Sequence, residues 1–476
     1  MGVRIAAARI GHQVSRRHWS LLLVVVSGLA IRLVVAHAYG PALLWTDGWS
    51  YLNTAYSHVP VGVGSTEPSG YPLFIRIVTI PARSLALITS VQHLLGVLTA
   101  TLVYALARVL GVRRSLAGAA AAAAALEAYA LRLEQTISSE PLFALLVALS
   151  IVVIVRGWHR THSVVLSGLL LAAAALVRGE GLFVVPLWLL YVLWRRRDAR
   201  AFSYGLVSVL APLLLYSAAH AAVGDGFGLT SDEGWLLYGR VAEISTPCAA
   251  LGVSGARTAL CTQPPPGSHR PVNTTAAQEQ IVIDWYVWNS ESPARRLYGS
   301  SDLRGNRELL AFSLKVIEHR PVQYLRIVGR GISDYLLPGR ANVTREIRFP
   351  SRSEPAPRTA FTDKVRRSYF PTYRQVVRSP SSFVRRYASV FHMREWLLLA
   401  LLGVCLAGVA LPGVRSASAT VPAAEILLLA GIPLVVIIGS AAIDGPLFRV
   451  VVPTLPLLFA GGAVALETLV RFVRAR

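Results

Sequence analysis

Lysine is almost missing from this 476-residue chain: Lys315 and Lys364 are the only two, so arginine carries nearly all of a net charge of +22. Charged residues of both signs make up only 15% of the chain, while apolar residues reach 54%. That balance excludes an ordinary soluble protein. The positive excess is no sign of nucleic acid, because the arginines fall in short clusters between apolar runs and form no continuous basic face. There are only three cysteines, with no metal-ligand spacing among them, and no Asp-x-Asp pair. Internal repeats are also lacking, which argues mildly against a repeat-built transporter.

What the chain has in abundance is long apolar runs. A transmembrane helix needs ~20 such residues, with ~17 acceptable. Runs of about that length occupy 20–39, 84–107, 115–133, 141–156, 163–178, 181–194, 201–223, 395–411, 424–441 and 447–470. The expectation is an all-α polytopic membrane protein with about ten transmembrane helices. The fifth and sixth runs are short and join through Val177-Arg178-Gly179-Glu180-Gly181, which reads as a tight hairpin. With the N-terminus inside, the inner loops are 108–114, 156–162, 195–200, 412–421 and the tail 471–476, and four of these five are rich in arginine. The short outer loops instead carry Glu134, Glu140, Glu180 and Asp444, so ten spans satisfy the positive-inside rule with both termini cytoplasmic. The basic leader and the small-residue triplet Ala36-His37-Ala38 also fit a cleaved secretory signal. Either way, Asp47 lies outside.

Three regions follow: an N-terminal membrane module of seven helices over 1–223, an extracytoplasmic loop domain over 224–394, and a C-terminal membrane segment of three helices over 395–476. Within the loop domain, 306–335 has helical periodicity broken at Pro321, and 345–382, rich in Arg, Ser and Pro, reads as irregular. Cys248 and Cys261 both fall in this domain and read as a local disulfide, the alternative being two free thiols. Asn273-Thr274-Thr275 and Asn342-Val343-Thr344 match the glycosylation sequon.

The first acidic residue is Asp47, set among aromatic rings in Leu44-Trp45-Thr46-Asp47-Gly48-Trp49-Ser50-Tyr51-Leu52. A carboxylate at the outer boundary of a membrane protein is well placed to act as a base. Asp47-Gly48 is equally an ordinary turn pair. Later outer segments contribute Glu67-Pro68-Ser69-Gly70-Tyr71-Pro72-Leu73-Phe74-Ile75-Arg76, Gln135-Thr136-Ile137-Ser138-Ser139-Glu140-Pro141 and Phe448-Arg449-Val450-Val451-Val452-Pro453.

The order of these motifs, from basic leader through the aromatic-flanked Asp to the last outer loop, resembles the GT-C superfamily of membrane glycosyltransferases. The nearest branches are the protein O-mannosyltransferases and the lipid A aminoarabinose transferases, and the loop domain has the least likeness, with Leu237-Tyr238-Gly239-Arg240-Val241-Ala242 similar only to actinobacterial members. The resemblance implies transfer of a sugar from a polyprenyl-phosphate carrier to a glycan, lipid or protein acceptor of the cell envelope, on the outer face of the membrane. The family's catalytic Asp maps onto Asp47. Gly48 stands where the family often has a second acidic residue, so a divalent metal is possible but not required.

Elementary chemistry agrees with these residue types. A phosphate leaving an anomeric carbon needs no strong acid; the needs are a base for the acceptor hydroxyl and cations for the charge developing on phosphate. Asp47 is the candidate base. Arg178, Arg449, Arg76 and Arg240 are the candidate phosphate ligands, with Glu134, Glu140, Glu180, Tyr71 and Trp49 as acceptor-binding or pocket residues. A single displacement inverts the anomeric carbon. Each residue has a plainer reading: Arg178 pairing with Glu180 at the hairpin, Arg449 snorkelling, Glu134 and Glu140 starting helices, and Gln92 and His93 bonding between helices. The rival functions are a transporter or lipid flippase, favoured by facing charges at midspan, and a non-catalytic scaffold, favoured if Asp47, Arg178 and Arg449 do not converge.

Overall fold

The computed structural model describes residues 2–57, 67–223, 226–246, 248–261, 276–299, 303–337, 339, 348–353, 359–410 and 422–474. The sequons at Asn273 and Asn342 and the inner loop 412–421 lie outside these residues. Among the described residues there are twenty α-helices and no strand, only an isolated bridge between Leu43 and Thr136.

Every apolar run is helical. Six helices are long and apolar enough to cross a membrane: His18–Ala38 (the second part of α1, Gly2–Ala38), α4 (Leu85–Val109), α7 (Glu140–Gly157), α10 (Ala199–Ala222), α19 (Ala423–Ile443) and Phe448–Arg474, which ends in α20 (Leu455–Arg474). The number rises to eight if two bent pairs each make one span: α5 (Arg114–Leu126) with α6 (Ala128–Gln135), and α17 (Ser381–Val390) with α18 (Glu395–Ala410). Two shorter helices, α8 (Thr161–Val177) and α9 (Gly181–Arg196), pack against each other across the expected tight turn. Apolar side chains such as Leu33, Leu190 and Leu215 remain exposed on the outer surfaces of these helices, as a lipid-facing bundle requires.

Two short helices lie between α1 and α4. In α2 (Thr46–Ser57), Asp47 occupies the first turn, where the helix dipole favours a negative charge. The turn-pair reading of Asp47-Gly48 therefore gives way to a helix start. Next, α3 (Gly70–Val78) packs against α2 and α8. The loop leading into α2 is pinned by the bridge, with Leu43 N–H donating to Gln135 O at 2.9 Å and Ile137 N–H to Leu43 O at 3.1 Å.

A second hydrophobic core forms between α11 (Glu233–Val241), α12 (Ala276–Trp288), α13 (Pro293–Tyr298) and α14 (Leu303–His319), around Trp235, Tyr238, Tyr286 and Phe312. Cys248 and Cys261 are joined by a disulfide beside it, with Cα atoms 5.6 Å apart. Pro321 separates α14 from α15 (Pro321–Leu336), as the periodicity requires. Helix α15 carries the loop region onto the membrane bundle, with the Tyr335 hydroxyl 3.0 Å from Ser440 Oγ on α19.

The stretch 345–382 is not wholly irregular: it contains α16 (Ala360–Tyr369). The local cause is a capping box in which Thr359 and Thr362 satisfy each other's backbone N–H groups, and the helix packs on α2 through the buried Val365.

Candidate functional site

A cavity of about 2080 Å³ opens between the membrane bundle and the second core. Its wall takes Asp47 from α2, Arg178 and Glu180 from the turn between α8 and α9, Arg449 from the 3-10 turn Phe448–Val450, and Asp444 from the end of α19. Three of the residues singled out in sequence, Asp47, Arg178 and Arg449, thus meet at one place.

Their contacts form two ion-pair groups. Arg449 Nη1 donates to Asp47 Oδ2 at 2.8 Å. Arg178 reaches Glu140 Oε1 at 2.8 Å and Glu180 Oε1 at 2.6 Å, and also donates to Ser139 Oγ at 3.0 Å. The Tyr51 hydroxyl lies 3.1 Å from the same Ser139 Oγ, so α2 and the start of α7 share that contact. Arg178 thus closes the hairpin with Glu180, as its plainer reading has it, and also lines the cavity.

The Arg449 charge holds the Asp47 carboxyl below the usual carboxylate range, against burial that would raise it. Glu67 behaves in the opposite sense. Burial pushes it up to about 8, and the negative charges of Asp47 and Asp232 add to the shift. Burial also raises Asp232 to about 7 and Asp444 to about 6, both on the cavity wall. The cavity wall thus carries Arg132, Arg178, Arg449 and Arg295 together with Asp47, Glu67, Glu180, Asp232, Glu233, Asp284 and Asp444.

Several expectations need correction. Glu134 does not line the cavity: it sits between Arg32 (2.7 Å) and His93 (2.9 Å), buried where α1, α4 and α6 meet. A carboxylate at membrane depth needs such partners. Gln92 and His93 are the bonds between helices that the sequence suggested, Gln92 Nε2 donating to Glu134 O at 2.8 Å. Tyr71 is buried, gives its hydroxyl to Gln92 and packs edge-on against Tyr51. Trp49 is buried against Tyr373. Neither ring reaches the cavity.

Arg76 and Arg240 are also elsewhere. Arg76 donates to Ala55 O at 2.9 Å, joining α3 to α2. Arg240 is buried and donates to Ala441 O (2.8 Å) and Ile327 O (2.6 Å), tying α11 to α19 and α15. Both guanidiniums satisfy backbone carbonyls at helix junctions, a use that the local sequence does not reveal.

Other wall residues were missed. Glu67 begins the segment 67–76, where nothing in the local sequence marks it as a cavity residue. Arg132, stacked 4.2 Å over the Trp45 ring, is hidden in an apolar run. Asp232, Asp284 and Arg295 come from the region of least resemblance, where no local pattern marks them. Among the described residues, no group of three His, Cys, Asp or Glu side chains is gathered to hold a metal ion.

Residues 67–220 match the model of the family described as dolichyl-phosphate-mannose-protein mannosyltransferase. This segment is of the GT-C superfamily. The matched GT-C segment contains Glu67, Ser139, Glu140, Arg178 and Glu180 and leaves out Asp47 and Arg449. No curated protein matches the chain. Among solved structures, the archaeal oligosaccharyltransferase AglB from Archaeoglobus fulgidus, in complex with an inhibitory peptide and a dolichol-phosphate, aligns with 12% identity and a TM-score of 0.35 over 95% of this chain and 50% of its own. The chain thus spans about half the length of that enzyme. ArnT from Cupriavidus metallidurans bound to undecaprenyl phosphate aligns with 14% identity and a TM-score of 0.34, over 94% of this chain and 77% of its own.

Proposed function

We propose that this protein is an inverting glycosyltransferase that moves a sugar from a polyprenyl-phosphate carrier to a cell-envelope acceptor on the outer face of the cytoplasmic membrane. The observation that carries the reading is the meeting of Asp47, Arg178 and Arg449 on one cavity at the edge of the helix bundle. Arg449 and Arg178 bind the carrier phosphate, and Asp47 takes the proton of the acceptor hydroxyl as that oxygen attacks the anomeric carbon. The bond from anomeric carbon to phosphate oxygen breaks, its electron pair stays on phosphate, and polyprenyl phosphate leaves.

The ion pair gives this scheme an order. While Arg449 is bonded to Asp47, the carboxylate is ionised but a weak base. A donor phosphate competes for the same guanidinium and leaves Asp47 more basic at the moment a base is needed. The loop region supplies the far wall of the cavity and takes the acceptor.

The transporter reading has one observation in its favour, the buried cluster of Arg32, His93 and Glu134. None of the three lines the cavity, however, and the cluster has a structural use in holding α1, α4 and α6.

The test is release of polyprenyl phosphate by the purified chain in lipid, given a panel of polyprenyl-phosphate sugars and a mixture of envelope acceptors. Parallel reactions with magnesium and with a chelator decide whether a divalent ion takes part. No release from any donor overturns the proposal.

A further inference from the structure

Glu67 shares the cavity wall with Asp47, Arg178 and Arg449, and the residues just after it are packed against α8 and α10. Ser69 Oγ donates to the Tyr216 hydroxyl at 3.0 Å. Gly70 lies so close to the end of α8 that a Cβ there would come 2.6 Å from Leu176 O, a contact only glycine permits. Leu176 is two residues from Arg178, so Glu67 is mounted on the same junction that presents the arginine.

The charges around Glu67 disfavour its ionised form. Arg178 and Arg449 are in direct ion pairs with Asp47, Glu140 and Glu180, which leaves the group at one net negative charge before Glu67 is included. Asp232, Glu233, Asp284 and Asp444 line the same cavity, as do Arg132 and Arg295, so the acidic residues still outnumber the basic ones. A donor phosphate adds at least one more negative charge. Ionising Glu67 there is unfavourable, in keeping with its carboxyl being pushed up to about 8 by burial and by Asp47 and Asp232, against Arg178 and Arg449.

We propose that Glu67 acts as a neutral carboxylic acid, its O–H donating to a phosphate oxygen of the lipid-linked donor as a third phosphate-binding group beside Arg178 and Arg449. This rests on the proposed function for the identity of the ligand. Glu67 keeps its proton throughout; the proton lost by the acceptor goes to Asp47. A neutral donor binds phosphate without adding charge, and an O–H to an anionic oxygen is among the stronger protein hydrogen bonds. Glu67 also supplies a second acidic side chain at the site where Gly48 follows Asp47.

The experiment uses the full chain in lipid nanodiscs as wild type, Glu67→Gln and Glu67→Ala, with undecaprenyl phosphate as the probe. Infrared difference spectra between pH 6 and 9.5 should show, beside the lower-titrating Asp232 and Asp444, a protonated-carboxyl component in wild type that disappears around pH 8, and this component should be missing in Glu67→Gln. Affinity for undecaprenyl phosphate should fall ~10-fold or more in wild type over pH 7 to 9.5, because each pH unit above the pKa removes about nine-tenths of the remaining neutral form. At pH 7, Glu67→Ala should bind about 10-fold more weakly than wild type. Glu67→Gln, which keeps a neutral donor, should recover about a third of wild-type affinity and bind with no further decline at high pH.

A missing band, or a Gln variant as weak as Ala with the wild-type pH slope, overturns the proposal. Neither readout uses transfer. A chain that binds the probe in this way but transfers no sugar would sink the proposed function and leave the role of Glu67 standing, whereas transfer without the band would do the reverse.

Discussion

Arg449 and Asp47, 402 positions apart in the chain, meet at 2.8 Å on the wall of the cavity. The pair joins the start of α2 to the 3-10 turn Phe448–Val450 near the other end of the chain, so neither end alone presents it. The matched family segment contains neither partner, and the contact can be read only from the fold.

Asp47→Asn keeps the shape of the side chain and removes its charge and its basic lone pair. General-base assistance typically accounts for ~10²–10⁴ in rate, so transfer should fall by that order while the protein still folds and binds undecaprenyl phosphate. Transfer near the wild-type rate would rule out Asp47 as the base. Loss of folding would make it a structural residue of the α2 start.

Arg449→Gln should act twice. A charge-assisted hydrogen bond to the donor phosphate is worth ~1.5–3 kcal/mol, so donor affinity should weaken by about 10- to 100-fold. It also removes the charge that holds the Asp47 carboxyl low. With Asp47 as the base, transfer should require its ionised form and be lost as pH falls through its pKa. The acid limb of the pH profile should therefore move to higher pH in Arg449→Gln. Unchanged donor affinity in this variant and in Arg178→Gln would place the phosphate elsewhere.

How much of this was legible in sequence depended on range. Helices over every apolar run follow from hydropathy alone, because a lipid-exposed backbone has no other way to satisfy its polar groups. Arg178 and Glu180 were legible as cavity residues because a charged turn between two apolar runs is rare and conspicuous, whereas Glu140, expected at the pocket, is buried against Arg178 and does not line the cavity. Glu134 looked the same from sequence, yet it is enclosed by Arg32 and His93. Only the crossing of α1, α4 and α6 decides which carboxylate faces the cavity and which the core. Tyr71 and Arg240 failed for the same reason. The acidic wall of Asp232, Asp284 and Asp444 was invisible because its members come from three separate segments with no common pattern.

Topology is open to a direct check. A reporter fused after Arg197 should report a cytoplasmic position and one inserted at Gly267 an external position, as the arginine bias predicts. The opposite result at either point would end the ten-span arrangement with both termini inside.

Reduction of Cys248–Cys261 should loosen the loop region and leave the bundle intact. The bridge spans a sequence separation of 13, and closing a loop of about that length contributes ~3 kcal/mol in the chain-entropy model. Hydrogen exchange should therefore quicken around the Tyr238 and Tyr286 core after reduction, with α4 and α7 unchanged. Equal exchange with and without reductant would show that the core holds without the bridge.

The buried cluster makes a different demand on a single small residue. Gly96 lies on α4 where a Cβ would collide with Glu134 Oε1 and come 2.7 Å from Arg32 Nη2. Both partners are buried at 2.7 Å separation, so neither can swing into solvent to make room. Gly96→Ala raises helix propensity by about 1 kcal/mol, which taken alone would stabilise the span. Against this stand overpacking at ~1–3 kcal/mol and the ~3–5 kcal/mol lost if the ion pair breaks and leaves an unpaired charge. The net effect should be destabilising, with thermal unfolding in detergent shifted to lower temperature. Glu134 also fixes the end of α6, where Gln135 O receives Leu43 N–H and so orients the loop into α2. Transfer should therefore decline with stability although Gly96 lies outside the cavity. An unfolding temperature equal to or above wild type would mean that the cluster repacks around the new methyl group, and that its charges are not held as tightly as this geometry requires.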